Sequence, residues 1–321
     1  MQHGKGFNRL IAAMLALAAG CGPSAGAAPW QPAPGHEQIP LWPDALAIAR
    51  PVTRGEELAR VGTGLIAGRP ATAIENVTRP TMTIYPAQGA NSGAAVLVFP
   101  GGGYRILAID LEGSEVCDWL TARGITCVLL KYRVPGSGPW WDPDCNCRRI
   151  PAVPMALQDA QRAIGLIRRR AASLGVDPHR IGALGFSAGG HLVAAVSTNA
   201  ERAYAPIDAA DRESSRPDFA VALYPGHLWE EPGLTLAPDI RVGPGTPPTF
   251  LLQAENDPID DVRHSLTYYL ALKQAHVPTE MHLYAEGGHA FGLRRTAQPI
   301  TGWPALVEAW LVTIGMIPAP H

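Results

Sequence analysis

The sequence predicts an α/β fold in which a mostly parallel sheet is covered on both faces by helices. Short apolar segments alternate along the chain with segments of helical periodicity, the pattern of parallel strands joined by crossover helices. Several of the apolar segments are continuous rather than alternating, as expected of strands buried on both faces. A chain of 321 residues, 47% of them hydrophobic, is long enough to form this architecture as a single domain.

The strands and helices are predicted from apolar runs and from helical spacing of apolar residues. The predicted strands are Thr81–Tyr85, Ala94–Phe99, Ile125–Leu130, Ile181–Phe186, Phe219–Leu223, Pro247–Ala254 and Met281–Tyr284. The predicted helices, besides one that opens after Ser187, are Gly113–Arg123, Met155–Leu174, Val262–Gln274 and Trp303–Ile314. Within the second of these, Asp159 and Arg162 lie one turn apart and predict a surface ion pair.

The N-terminal segment has the pattern of an export signal. Basic residues precede an apolar run over residues 10–19, and small residues follow it, which matches a secretory leader; the run is too short to span a bilayer. Cleavage is expected near residues 25–27, so that residues 1–27 form the signal segment. The alternative is lipidation of Cys21, which would be the only membrane contact. Both alternatives predict a secreted or periplasmic protein.

Differences in composition and periodicity divide the rest of the chain into a lead-in, a domain and an insertion within that domain. Residues 28–65 are rich in Pro and Gly and carry little periodicity, so we interpret them as an irregular lead-in. Residues 66–321 are predicted to form the catalytic domain. Residues 134–154 break all periodicity and are interpreted either as an insertion over the carboxyl edge of the sheet, where it could form a wall of the substrate pocket, or as a surface loop anchored by its tryptophans.

The cysteines and the net charge exclude several classes of site. Cys145 and Cys147 lack a second Cys or His pair at metal-ligand spacing, so no metal or cofactor is predicted. Cys117 and Cys127 lie in apolar surroundings and fit either buried thiols or a disulfide, which an exported protein can form. The formal net charge of −2 gives no basic field for nucleic acid.

The segment Gly185–Gly189, Gly-Phe-Ser-Ala-Gly, matches a nucleophile elbow between a strand and a helix. Glycines two residues before and after Ser187 would allow the tight turn to approach its neighbours. The amide of Ala188 would then point to the place where an oxyanion forms. An alternative is an ordinary turn in which the serine caps the following helix.

A glycine triplet follows the predicted strand Ala94–Phe99, where hydrolases with this type of elbow place a second oxyanion donor. The amides of Gly102 and Gly103 are the candidates, and an ordinary flexible loop is the alternative. Four side chains near the carboxyl edge are predicted to contact substrate: Tyr104, His227, Trp140 and Trp141.

A serine nucleophile needs a histidine base and an acid behind it. His289 lies in a glycine-flanked loop after the last strand, whereas His227 precedes the acidic loop and therefore has the wrong order for a base. Asp257, at the first turn after a strand ending at Ala254, is the predicted acid, and Asp260 is the runner-up. The alternative is an ordinary turn at Asp257, with Asp260 or Asp261 capping the helix that begins near Val262. The chain order is then Ser, Asp, His.

From Thr81 to Ile314 the chain resembles the α/β-hydrolase esterases related to bacterial acetyl xylan esterases, grouped with feruloyl-esterase-like and dienelactone-hydrolase-like families. The resemblance is carried by Pro100–Tyr104, Leu157–Ala163, Gly185–His191, Asp257 with its flanks, and Gly287–Gly292. It implies an α/β-hydrolase fold, the same triad, and oxyanion donors at Ala188 and at Gly102 or Gly103. Pro100 stands where lipase relatives carry His, which argues against that branch, and the Trp140–Arg149 insert departs from the family pattern.

These observations predict an exported serine carboxylesterase that removes small acyl groups, acetyl first, from carbohydrate esters such as acetylated xylan. The partner is therefore a small-molecule or polysaccharide ester. The alternatives are a peptidase or a general short-chain esterase of the same fold, and a non-catalytic binding protein.

Overall fold

A computed structural model of the protein describes residues 29–51, 53, 55–134, 141–142, 147–148 and 154–319. In this part of the chain the central sheet has eight strands. They are β1 (Glu37–Pro40), β2 (Thr81–Tyr85), β3 (Ala95–Phe99), β4 (Thr126–Lys131), β5 (Ile181–Phe186), β6 (Phe219–Leu223), β7 (Thr249–Ala254) and β8 (Thr279–Tyr284).

The strand order is β1-β2-β4-β3-β5-β6-β7-β8. Strand β2 runs antiparallel to both its neighbours, β1 and β4, whereas the pairs from β4 to β8 are parallel. Strands β3 to β7 are buried along their whole length, as their continuous apolar sequences require when helices cover both faces. The predicted fold class is confirmed.

The helices agree with the predicted ones to within a few residues, with two differences. They are α1 (Glu115–Thr121), α2 (Pro154–Arg169), α3 (Ala171–Leu174), α4 (Ala188–Thr198), α5 (Arg263–Gln274) and α6 (Trp303–Thr313). A π-helical turn, Asp110–Ser114, precedes α1, so this helical segment begins earlier than expected. The predicted helix Met155–Leu174 is divided at Arg170, which leaves the helical conformation between α2 and α3.

The composition of residues 28–65 predicted an irregular lead-in, but part of this segment forms strands. It supplies β1, which pairs with β2 at the edge of the central sheet. It also supplies most of the strand Leu58–Ile66, which pairs with Arg69–Glu75, and the latter pairs with Ile106–Ala108. The partner of β1 lies far along the chain, and local propensity does not reveal such a partner. Leu58–Ile66 and Arg69–Glu75 instead form a hairpin around Ala67 and Gly68, both of which have positive φ.

Cys117 and Cys127 form a disulfide that ties α1 to β4, which decides between the two alternatives left open by the sequence. Within the insertion, the backbone forms a two-stranded ribbon of Trp141–Asp142 and Cys147–Arg148. Cys21 and Cys145 lie outside the described residues. Among the described residues, no helix is both long and apolar enough to cross a membrane.

The predicted surface ion pair between Asp159 and Arg162 is wrong, because both side chains are buried. Asp159 instead pairs with Arg133 at 2.8 Å and accepts a hydrogen bond from the indole of Trp42 at 2.7 Å. Arg162 pairs with Asp208 at 2.5 Å on the other side. Spacing along a helix does not predict these partners, because segments distant in sequence cover this face of α2.

Candidate active site

Ser187 occupies a sharp turn between β5 and α4, with φ 51° and ψ −120°. A Cβ atom on Gly189 would lie 2.1 Å from the carbonyl oxygen of Phe99, and one on Gly185 would lie 2.2 Å from the carbonyl oxygen of Gly189. Both positions therefore require glycine, because the backbones of neighbouring elements approach too closely for any side chain. The strained serine backbone is held by its surroundings, as is typical of functional turns.

Three predicted side chains meet in a continuous relay at the carboxyl edge of the sheet. The Nε2 atom of His289 lies 3.0 Å from the Oγ atom of Ser187. On the other side of the ring, Nδ1 lies 2.7 Å from Oδ2 of Asp257. Both distances are within hydrogen-bond reach, which is the geometry that activates a serine hydroxyl.

The Asp257 carboxylate is fixed in place by the loop that follows β7. Its Oδ1 atom accepts hydrogen bonds from the amides of Ile259 and Asp260, at 2.8 and 3.0 Å. Its Oδ2 atom accepts one from the side chain of Gln253 at 3.1 Å. Because these donors hold the carboxylate, it can orient the imidazole with Nδ1 protonated and Nε2 facing the serine.

Asp257 rather than Asp260 contacts Nδ1 of the imidazole. The runner-up acid lies on the other side of the site, with its Oδ2 atom 3.2 Å from the Oγ atom of Ser187. Asp260 was predicted either as the second choice of acid or as a helix cap, and its contact with the serine was not predicted.

The charge of His289 is governed by opposing effects. Burial disfavours the imidazolium, but the hydrogen bond and charge of Asp257, together with the charges of Asp260 and Glu112, outweigh it and raise the pKa of His289 to about 9. A base of this strength holds a proton at neutral pH in the free protein.

The glycine loop after β3 lies against the serine. A Cβ atom on Gly101 would come within 3.0 Å of the Cβ atom of Ser187. The Gly101 amide donates to the carboxylate of Glu112 at 2.8 Å. Gly102 has a φ of +126°, and a Cβ atom there would lie 2.3 Å from the carbonyl oxygen of Ile106, so glycine is required.

The candidate oxyanion donors are the amides of Gly102, Gly103 and Ala188. Within the part of the chain that the structure describes, the Gly102 and Gly103 amides donate to no protein group. Ala188 is the first residue of α4, and a helix leaves the amides of its first turn without intrahelical partners. All three amides are therefore available to an anionic ligand, and their role as oxyanion donors stays a prediction.

Glu112 is a buried side chain of the site and was not among the predicted site residues. Besides binding Gly101, it accepts a hydrogen bond from the hydroxyl of Tyr224 at 2.8 Å, and burial raises its pKa. Tyr224 also contacts the ring of His289, with centroids 4.8 Å apart. No sequence signal distinguishes Glu112 from the other acidic residues nearby, because its burial depends on the loop that folds over it.

Tyr104, a predicted substrate contact, packs in the interior beside the glycine loop. Its side chain is buried, and its hydroxyl is engaged with Nδ1 of His191 at 2.8 Å. His191 is also buried, and its Nε2 atom lies 3.1 Å from Oδ2 of Asp239. Tyr104 therefore connects the glycine loop to helix α4, and its contact with substrate stays a prediction.

The other predicted substrate contacts have different outcomes. His227 is half-buried and packs near Tyr104 and His191, with ring centroids 5.9 and 5.7 Å apart. Trp140 lies outside the described residues, and Trp141 is described only by the backbone of a two-residue strand. The described residues hold no cluster of three or more His, Cys, Asp or Glu side chains that could bind a metal ion.

Comparison with known proteins shows that the chain is similar to several esterases. A family model described as BD-FAE matches residues 146–224. An acetylxylan esterase of Xylanibacter ruminicola is 28% identical over 224 residues, which cover 63% of this chain and 42% of that protein. The chain thus spans less than half the length of this curated relative.

Two solved structures extend the similarity over most of the chain. The first is an acetyl ester-xyloside bifunctional hydrolase from Caldicellulosiruptor lactoaceticus, with a TM-score of 0.65, 32% identity, and coverage of 88% of this chain and 97% of that one. The second is MGS-M1, an α/β hydrolase from a Medee basin deep-sea metagenome library, with a TM-score of 0.57, 26% identity, and coverage of 73% and 92%. The chain therefore belongs to the α/β-hydrolase esterases and is similar to their acetylxylan esterases.

Proposed function

We propose that the protein is a serine carboxylesterase that removes small acyl groups, acetyl in particular, from carbohydrate esters such as acetylated xylan. The observation that carries this proposal is the relay from Asp257 through His289 to Ser187, with contacts of 2.7 and 3.0 Å. The similarity to an acetylxylan esterase and to an acetyl ester-xyloside hydrolase supports the substrate class.

In the acylation step, Ser187 attacks the carbonyl carbon of the ester while neutral His289 accepts the hydroxyl proton. Asp257 holds the imidazole in the required tautomer and stabilises the imidazolium that forms. The amides of Ala188 and of Gly102 or Gly103 bind the oxyanion, each contributing about 3–4 kcal/mol to transition-state stabilisation. His289 then returns the proton to the departing sugar oxygen, which leaves an acyl-enzyme.

In the deacylation step, His289 removes a proton from water as the water attacks the acyl carbonyl. The tetrahedral intermediate collapses, Ser187 regains its proton from the imidazolium, and the carboxylic acid departs. No redox or metal chemistry is needed for this sequence, because each bond change is matched by a proton transfer through one imidazole.

The first test is hydrolysis of 4-nitrophenyl acetate, butyrate and octanoate, followed by acetate release from acetylated xylan. We expect the acetate ester to be preferred and xylan to release acetate. Ser187→Ala should reduce kcat by about 10⁴-fold or more. Ser197→Ala is the matched control, because Ser197 is buried near the end of the same helix and should retain activity.

The alternatives give different results in this experiment. A general short-chain esterase would cleave 4-nitrophenyl esters but release no acetate from xylan. A peptidase would cleave peptide anilides and fail on the esters. A binding protein would leave wild type and Ser187→Ala equally inactive. Each of these results would contradict the proposed function.

We also propose that the protein is exported, either free after cleavage near residues 25–27 or anchored through a lipidated Cys21. The Cys117–Cys127 disulfide supports this proposal, because such bonds persist in oxidising compartments. Fractionation of the native host should find the protein outside the cytoplasm. Retention of a Cys21→Ala variant in the membrane fraction would exclude the lipid anchor, and a wholly cytoplasmic protein would contradict export.

A further inference from the structure

Asp260, a carboxylate that is not the acid of the relay, contacts the nucleophilic Ser187. Oδ2 of Asp260 lies 3.2 Å from the Oγ atom of Ser187 and 3.7 Å from Nε2 of His289. The side chain is only 7% exposed, so solvent screens its charge weakly. The relay through Asp257 is complete without this group, and the mechanism above gives it no role.

Asp260 is held in this position by its neighbours. A Cβ atom on Gly226 would lie 2.5 Å from Oδ1 of Asp260, so the absence of a side chain at position 226 makes room for the carboxylate. The carbonyl oxygen of Asp260 accepts a hydrogen bond from Gln253 at 3.0 Å, and Gln253 also holds Asp257. The Gln253 side chain, at the end of β7, therefore holds both the carboxylate of Asp257 and the backbone of Asp260.

The serine hydroxyl has one proton and two neighbouring acceptors, which restricts the charge state of the site. If His289 is neutral, the hydroxyl proton can satisfy either Nε2 or Asp260, and one acceptor loses its bond. If His289 is an imidazolium, Nε2 donates to the serine oxygen and the hydroxyl donates to Asp260. Because Nδ1 also donates to Asp257, only the imidazolium satisfies all three observed contacts at once.

We propose that Asp260 is a positioning residue that holds the serine hydroxyl away from the base and keeps His289 protonated at rest. It thereby sets the pH at which the nucleophile becomes active. This inference rests on the proposed roles of Ser187 and His289. Activation requires the imidazolium to lose its proton and the serine hydroxyl to turn from Asp260 to Nε2.

The charged and titratable groups that face His289 come from three elements. Asp257 and Asp260 lie in the loop after β7, Glu112 in the π-helical turn, and Tyr224 at the end of β6. Asp257 and Asp260 carry charge next to the ring, and Glu112 is engaged with Gly101 and Tyr224. Asp260 alone among these groups contacts the serine oxygen in the described structure. Its removal should therefore change the protonation of His289 without removing the acid of the relay.

The test compares Asp260→Asn with wild type, using kcat/KM for 4-nitrophenyl acetate as a function of pH. We expect the midpoint of the acidic limb to fall by about one unit or more, since a charge at this distance shifts a pKa by that amount. Relative to its own high-pH plateau, kcat/KM at pH 7 should then rise by about tenfold. The control is Asp261→Asn, because Asp261 pairs with Arg263 instead.

An NMR titration of the His289 imidazole in wild type and both variants provides a second readout. It needs no turnover, so it tests Asp260 even if the proposed esterase activity fails. An unchanged midpoint in folded Asp260→Asn would overturn the inference. A uniform loss of kcat/KM with the same midpoint would do so too, because it would indicate a purely structural role. If Asp260→Asn does not fold, Asp260→Ser, which is also uncharged, replaces it with the same expected shift.

Discussion

The hydroxyl of Tyr104 lies 2.8 Å from Nδ1 of His191, and this contact joins the glycine loop after β3 to the helix that begins after the nucleophile. Tyr104 is the residue next to Gly103, and His191 lies within the first turns of α4. The two candidate sources of oxyanion donors, the loop and the helix, are thus connected by one buried hydrogen bond.

Replacing Tyr104 by Phe should therefore affect both stability and kcat. The buried Nδ1 atom of His191 would lose its partner, at a cost of about 1–3 kcal/mol in the free energy of unfolding. A shift of the glycine loop should lower kcat on the order of tenfold while KM changes little. Urea unfolding and steady-state kinetics would measure the two effects. Tyr269→Phe, on α5, is the control, and an unaltered kcat in Tyr104→Phe would contradict the link to the loop.

Asp257→Asn should reduce kcat by about 10⁴-fold, because the amide cannot hold the imidazole in the productive tautomer. The hydrogen bonds from the Ile259 and Asp260 amides to the side-chain oxygen can persist, so the variant should remain folded. Steady-state kinetics with a circular dichroism check would measure this. A loss as small as that of Asp261→Asn would show that Asp257 is not the acid.

Activity and stability should change in opposite directions as the pH rises. The pKa of His289 is raised from 6.5 to about 9, so kcat/KM should increase through about pH 9 as the imidazole becomes neutral. Because the folded-state pKa lies above the unfolded one, the stabilisation from His289 is fully present below about pH 6.5 and is lost as the pH rises through 9. This pH-dependent contribution of His289 to the free energy of unfolding is about 3 kcal/mol.

Urea unfolding of wild type and His289→Gln at pH 6, 8 and 10 would measure this contribution. We expect the stability difference between the two proteins to shrink as the pH increases. A difference that stays constant over this range would contradict the raised pKa.

Arg133→Met should destabilise the protein by about 3–5 kcal/mol, because it leaves the buried carboxylate of Asp159 without its cation. The pair is almost fully buried, with 1% and 0% side-chain exposure. Adding Asp159→Leu should recover part of the loss, since no unpaired charge then remains. Chemical denaturation would measure both variants. Arg79→Met is the control, because the Arg79 side chain is 72% exposed; an equal loss in that variant would contradict the argument.

The fold class could be predicted because the central strands of the sheet are recognisable from their local sequence. These strands are short apolar runs, namely Ala95–Phe99, Ile181–Phe186 and Phe219–Leu223. Such continuous apolar sequences are expected of strands that are buried on both faces. Strand β1 was missed because its partner, β2, lies far along the chain. The buried position of Asp159 was missed for the same reason, since segments from elsewhere cover it.

For the candidate site, the sequence alone was enough to predict which residue types stand at the carboxyl ends of the strands and in which order. Glycine spacing around Ser187 and the position of His289 after the last strand were sufficient for this, because chain connectivity orders the strand ends. The contact of Asp257 with the imidazole and that of Asp260 with the serine become visible only in the folded protein. Both lie in one short loop, and a hydrogen bond depends on distances of a few tenths of an ångström, which the packing of Gly226 and Gln253 sets and no sequence pattern encodes.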